Sequence, residues 1–130
     1  MRQRTAMERW RTEDRRELRV YRKSLELAFG LHRLGVPGIR DAWNETVEGT
    51  CAAGLFHIAR GSALYPDPDC LEHWRTAQTT LQEIYLMLDL AVEEKRIDVE
   101  EKRELSELIA GISRMLAGLM DKFKGVSSEL

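Results

Sequence analysis

The side chains with the clearest capacity for chemistry are the arginines gathered near the start of the chain. Arg9, Arg15, Arg16, Arg19, Arg22 and Lys23 fall close together, with Trp10 and Tyr21 interleaved. Guanidinium groups meet phosphate oxygens in bidentate pairs and an aromatic ring offers a surface on which a base can stack. This is the composition of a helix that tracks a nucleic-acid backbone. The same segment holds Glu8, Glu13, Asp14 and Glu17, so residues 1–23 carry nine basic against four acidic side chains, a local balance of +5. The whole chain is at -2, which leaves the remainder at -7. A basic arm on an acidic body points to an anionic partner at one end of the molecule. Glu/Arg pairs on a solvated helix surface would account for the same residues without any partner. Arg60, Arg75, Arg114, Lys122 and Lys124 join the basic set only if they share a face.

Catalysis and metal binding find less support. Helical bundles that hold carboxylate-bridged metals use Glu-x-x-His pairs, and no Glu here is followed three places on by His. His32, His57 and His73 share no spacing with one another, or with Cys51 and Cys70, of the kind a zinc site requires, and are expected as bundle histidines. Both cysteines sit in apolar surroundings and are expected as buried thiols of a reducing compartment. Glu45 and Glu48, one helical turn apart beside Thr46 and Thr50, form either a polar inclusion or a solvated pair. With no phosphate-binding glycine loop and no nucleophile signature, the expectation is a protein that is not an enzyme, with no metal, cofactor or small-molecule substrate.

The elements that must carry these residues are helices. A chain of 130 residues has room for one domain and one core. No apolar run reaches the roughly 18 residues of a membrane span, and no hydrophobic region follows the arginine-rich start, so a cytoplasmic protein without a membrane partner is expected. From Asp67 to Glu94, the residues Trp74, Ala77, Leu81, Ile84, Leu88 and Ala91 recur at steps of three and four, which predicts a central bundle helix opened by Asp67 and Pro68. Leu71, Gln78, Tyr85 and Val92 widen its stripe. A preceding helix over 39–63 is predicted to face inward through Ile39, Ala42, Trp43, Thr46, Val47, Thr50, Ala53, Gly54 and Ile58, the run from Gly49 to Gly54 serving close packing. A following helix over 99–124, opened by an Asp98/Glu101 capping box, carries Leu105, Leu108, Ile109, Ile112, Met115, Leu116, Leu119 and Phe123 on one side and Gly111 and Gly118 on the other. The organisation expected is a basic helical extension over 1–16, an antiparallel up-down-up-down four-helix bundle over 17–124 and a disordered tail over 125–130.

The first helix, expected from about Thr5 to Leu34, has two apolar sides. At about 100° per residue, Leu18, Tyr21, Leu25, Ala28, Phe29 and His32 cluster on one side, which is expected to face the core. Val20, Leu27, Leu31 and Leu34 fall on the other. A second copy of the chain is expected to cover Val20, Leu27, Leu31 and Leu34, which would make the protein a homo-oligomer; the alternative is that the stripe packs on another helix of the same chain.

Several segments resemble a known family. They are Leu18-Arg19-Val20-Tyr21 with Ser24-Leu25-Glu26-Leu27, His57-Ile58-Ala59-Arg60-Gly61-Ser62, Cys70-Leu71-Glu72-His73-Trp74 leading through Leu81-Gln82-Glu83-Ile84, and Ile112-Ser113-Arg114-Met115-Leu116. Together these resemble the four-helix-bundle proteins encoded in intervening sequences of bacterial large-subunit ribosomal RNA genes, a superfamily that includes the accessory variability determinant of diversity-generating retroelements. The resemblance implies a homopentameric ring of four-helix bundles without enzymatic activity. In the retroelement branch it implies a partner reverse transcriptase and bound RNA or cDNA; in the ribosomal branch, a self-assembling protein-interaction module without intrinsic nucleic-acid binding. Retroelement members are typically basic and this chain is mildly acidic, which directs the nucleic-acid expectation to the arginine-rich first helix.

Overall fold

The computed structural model describes residues 16–34 and 40–128, with side chains described over 19–34 and 40–125. Four helices follow in order: α1 (Arg16–Arg33), α2 (Ala42–Leu64), α3 (Asp69–Glu93) and α4 (Val99–Ser128). Each packs on the next and α4 closes against α1, which gives the antiparallel up-down-up-down bundle expected. None of the described helices is long and apolar enough to cross a membrane.

The organising helix is α3. Its seam of Trp74, Ala77, Leu81, Ile84, Leu88 and Ala91 is wholly buried. It begins at Asp69 with Pro68 at the cap, one residue later than expected, and Asp67 supports that start from outside the helix: its carboxylate accepts the Asp69 N–H at 2.9 Å and its carbonyl accepts the Cys70 N–H at 3.0 Å. At the other end the Arg96 N–H reaches the Ala91 carbonyl at 2.8 Å and the Lys95 N–H reaches that of Val92 at 3.0 Å. This Schellman arrangement places Lys95 at φ 60°, a left-handed position that glycine usually takes. The Asp98/Glu101 capping box then opens α4, with reciprocal bonds of 3.1 and 2.7 Å. Along α4 the predicted face is the observed one: Leu105, Ile109, Ile112, Leu116, Leu119 and Phe123 are buried. The helix continues to Ser128, so residues 125–128 are not the disordered tail expected; 129–130 lie outside the described residues, as do 1–15 of the expected extension.

The α2 helix begins later than predicted because Asp41 and Asn44 form a capping box ahead of Ala42, and Ile39 lies outside the described residues. Its buried stripe is Val47, Cys51, Gly54, Ile58 and Gly61, while Ala42, Thr46 and Ala53 of the predicted face are exposed. Of the run from Gly49 to Gly54 only Gly54 lets α3 approach closely, and Gly61, outside that run, does so as well. A Cβ on Gly61 would stand 2.5 Å from Trp74 Nε1, and one on Gly54 would stand 3.1 Å from Thr80 Cγ2; one on Gly49 would meet nothing within 4 Å.

The α1 helix is turned about its axis relative to expectation. Val20, Leu27 and Leu31 are 0–1 % exposed within a single chain, and Leu34 packs half-buried against the core, so the stripe expected to meet another copy is interior. Tyr21 at 41 % and Phe29 at 62 % exposure, with His32, face outward instead. The inner row is Val20, Ser24, Leu27 and Leu31, at the same alternating spacing as the α3 seam. Ser24 disguises that row in the sequence. Its hydroxyl donates to the Val20 carbonyl at 2.8 Å, so its burial leaves no unpaired group.

Candidate nucleic-acid interface

The geometry places the expected arginines unevenly. Arg19 and Arg22 are exposed along α1; Lys23 is exposed but held by Glu26 at 2.9 Å. Arg16 opens α1 with its side chain outside the described set, and Arg9 and Arg15 lie outside the described residues altogether.

Arg19 shares a groove of ≈ 330 Å³ with Gly111, Arg114, Met115 and Gly118, where α1 lies against α4. The four α4 residues recur at helical spacing, so they form one stripe. The glycines provide its depth: a Cβ on Gly111 would come 3.9 Å from Arg114 Nη2, so the guanidinium lies across a position that carries no side chain. Gly111 and Gly118, expected to admit a neighbouring helix, therefore line an open groove. Among the described residues no carboxylate pairs with Arg19 or Arg114; the ion pairs lie elsewhere. Two guanidinium groups from different helices thus rim one concave surface, an arrangement that suits the oxygens of an anion. Of the further basic candidates, Lys122 stands one turn beyond Gly118 on the same stripe and Lys124 is exposed nearby in sequence, whereas Arg60 and Arg75 belong to α2 and α3.

A second groove, of ≈ 370 Å³, runs between α1 and α2 past Ala28, Phe29, His32, Glu48, Cys51 and Leu55. At its rim Glu48 is paired with Arg40, and its Oε1 lies 2.9 Å from His32 Nδ1. Burial pushes the Glu48 carboxyl up, but the hydrogen bonds to Arg40 and His32 outweigh it and leave the group below its ordinary range. Glu45, its sequence neighbour, is exposed, so the two acids do not act together. This cluster escaped sequence reasoning because His32 meets Glu48 only once α1 packs on α2, and Arg40 reaches it from ahead of the α2 cap.

Cys51 and Cys70 are buried as expected, and burial pushes both thiols up to about 11, helped by the nearby charges of Glu48 and Asp67 respectively. Among the described residues no group of three or more His, Cys, Asp and Glu side chains is gathered where it could hold a metal ion. The histidines depart from expectation: His57 and His73, which share no ligand spacing, meet with their Nδ1 atoms 2.8 Å apart. A signal was present, since the two stand equally far on either side of Tyr65 in the α2–α3 turn, and antiparallel helices pair such positions. No protein-family model matches the chain, and no curated protein matches it.

Proposed function

We propose that this chain is a non-catalytic, self-assembling adaptor that holds a nucleic-acid backbone along its α1–α4 face, serving as an accessory to a reverse transcriptase of the diversity-generating kind. The observation that carries the reading is the groove rimmed by Arg19 and Arg114, two guanidinium groups without a carboxylate partner among the described residues. A phosphate backbone supplies the missing anions repeatedly, and several copies of the groove in one assembly would act multivalently on a single strand. Buried thiols held above their ordinary value and acids already committed to arginines are in keeping with a role without bond-making chemistry. The test is a filter-binding titration of single-stranded RNA across salt. Binding near 50 mM salt is expected to weaken as salt rises, and Arg19→Glu with Arg114→Glu is expected to lower the salt slope by about 1 to 2. A flat salt response, or no binding at low salt, removes the nucleic-acid reading.

A second reading, a protein-interaction module of the ribosomal intervening-sequence type, is favoured by a different observation. Phe29, Leu86 and Leu90 are about 60 % exposed, large apolar surfaces that lack cover among the described residues. Phe29→Asp is expected to lower the mass seen by light scattering while leaving the urea midpoint of the subunit nearly unchanged. A monomer at micromolar concentration before any substitution would remove self-assembly from both readings.

A further inference from the structure

His57 on α2 and His73 on α3 are half-buried. Their Nδ1 atoms lie 2.8 Å apart, their ring centroids 5.1 Å apart and their planes 30° from parallel. The centroid separation exceeds the nitrogen separation by little more than two ring radii, so the nitrogens face each other end to end rather than converging on a third point. At that distance one nitrogen donates an N–H and the other accepts through its lone pair. Neutral imidazole carries one donor and one acceptor, so the pair closes when the two rings take opposite tautomers, or when one imidazolium donates to one imidazole. Two imidazolium rings would set N–H against N–H.

The surrounding backbone keeps the rings at this range. Gly54 and Gly61 stand one turn on either side of His57 and bring α2 against Thr80 and Trp74. Phe56 packs edge-on against His57, its ring 5.4 Å away. The charged neighbours in register are Arg60, one turn on along α2, and Asp69, one turn back along α3, with Glu72 and Arg75 near His73 in sequence. They balance in sign, and no described ion pair joins any of them to either ring. The ion pairs involving α1 and α4 join Lys23 with Glu26, His32 with Glu48, Lys102 with Asp89, and Arg103 with Glu100 and Glu107, and none includes His57 or His73.

We propose that His57 and His73 form a one-proton clasp that ties α2 to α3 at neutral pH and is released when acid charges both rings. Acid that charges both rings sets N–H against N–H and leaves neither nitrogen a lone pair to offer the other. The clasp's contribution is therefore present at neutral pH and lost once both rings are charged.

Two measurements on the full chain test this. Nitrogen NMR of the imidazoles near pH 7.5 is expected to find one Nδ1 proton between the two rings; bare Nδ1 atoms in both would overturn the clasp. A double-mutant cycle of His57→Phe and His73→Phe, read by urea unfolding, is expected to give a coupling of about five-fold in the folding constant near pH 7.5. That coupling should vanish near pH 5; a coupling absent at both, or equal at both, defeats the proposal. If a phenylalanine variant does not fold, His57→Gln serves instead. It can still bond to His73 but does not titrate, so it should flatten the acid dependence, and an unchanged dependence counts against the clasp.

Discussion

At the scale of single residues, three glycines in one helix separate two roles that look alike in the sequence. Gly61 is occupied space in advance: a methyl group there would meet the buried indole of Trp74 at 2.5 and 2.6 Å and the Cys70 carbonyl at 3.1 Å. Neither a buried ring nor a backbone oxygen yields easily, so Gly61→Ala is expected to destabilise by about 1 to 3 kcal/mol. Gly54 is intermediate, since the Thr80 methyl it faces at 3.1 Å can give a little. Gly49 is exposed and faces open space, so it contributes only backbone freedom to the unfolded chain. Gly49→Ala is expected to stabilise by about 0.5 to 1 kcal/mol. Urea midpoints of the two variants, moving in opposite directions, check both statements at once.

At the scale of elements, legibility followed how much of each helix's inner row was apolar. The α3 seam from Trp74 to Ala91 is apolar at each of its six positions, with buried Thr80 beside it, and acids stand at its start and at the start of α4, so both helices could be read directly. The α1 row contains Ser24, whose hydroxyl finds its partner in the helix's own backbone, while the outer side displays Tyr21 and Phe29. Counting apolar bulk then favours the wrong face. The α1–α4 groove was half legible: Arg19 was singled out from composition, but its pairing with Arg114 depends on the closure of the last helix onto the first. The cap of α2 shows how an element boundary can depend on distant charge. Asp41 accepts the N–H groups of Trp43 and Asn44, and Arg96 from beyond α3 donates to it at 2.7 Å. The hydrogen bond from Arg96 holds the Asp41 carboxyl below its ordinary range. A carboxylate lowered in the folded state stabilises fully above its unfolded value of about 3.9, and that contribution is lost as pH falls through the folded value. Asp41→Asn keeps a cap but removes the charge. The difference in urea midpoint between parent and variant is expected to be present at neutral pH and to close below about pH 4, as stepped-pH unfolding would show.

At the scale of the whole molecule, the two ends of the bundle are closed by different physics. Where the α1–α2 and α3–α4 connections lie, Arg96 bonds to Asp41 and Glu94 and covers the Trp43 ring at 5.5 Å, all at half-exposed positions. At the opposite end Tyr65, 2 % exposed, meets Phe123 edge to face with centroids 5.8 Å apart. Salt screens exposed charges over about 8 Å at physiological strength and leaves buried aromatic packing nearly untouched. Hydrogen exchange is therefore expected to quicken with salt at the start of α2 and the end of α3, while amides around Tyr65 and Phe123 hold their protection. The bundle is laced at one extremity and corked at the other, and ionic strength is a handle on the lacing alone. Any partner that reaches the laced extremity would find a bundle whose stiffness depends on the ions around it.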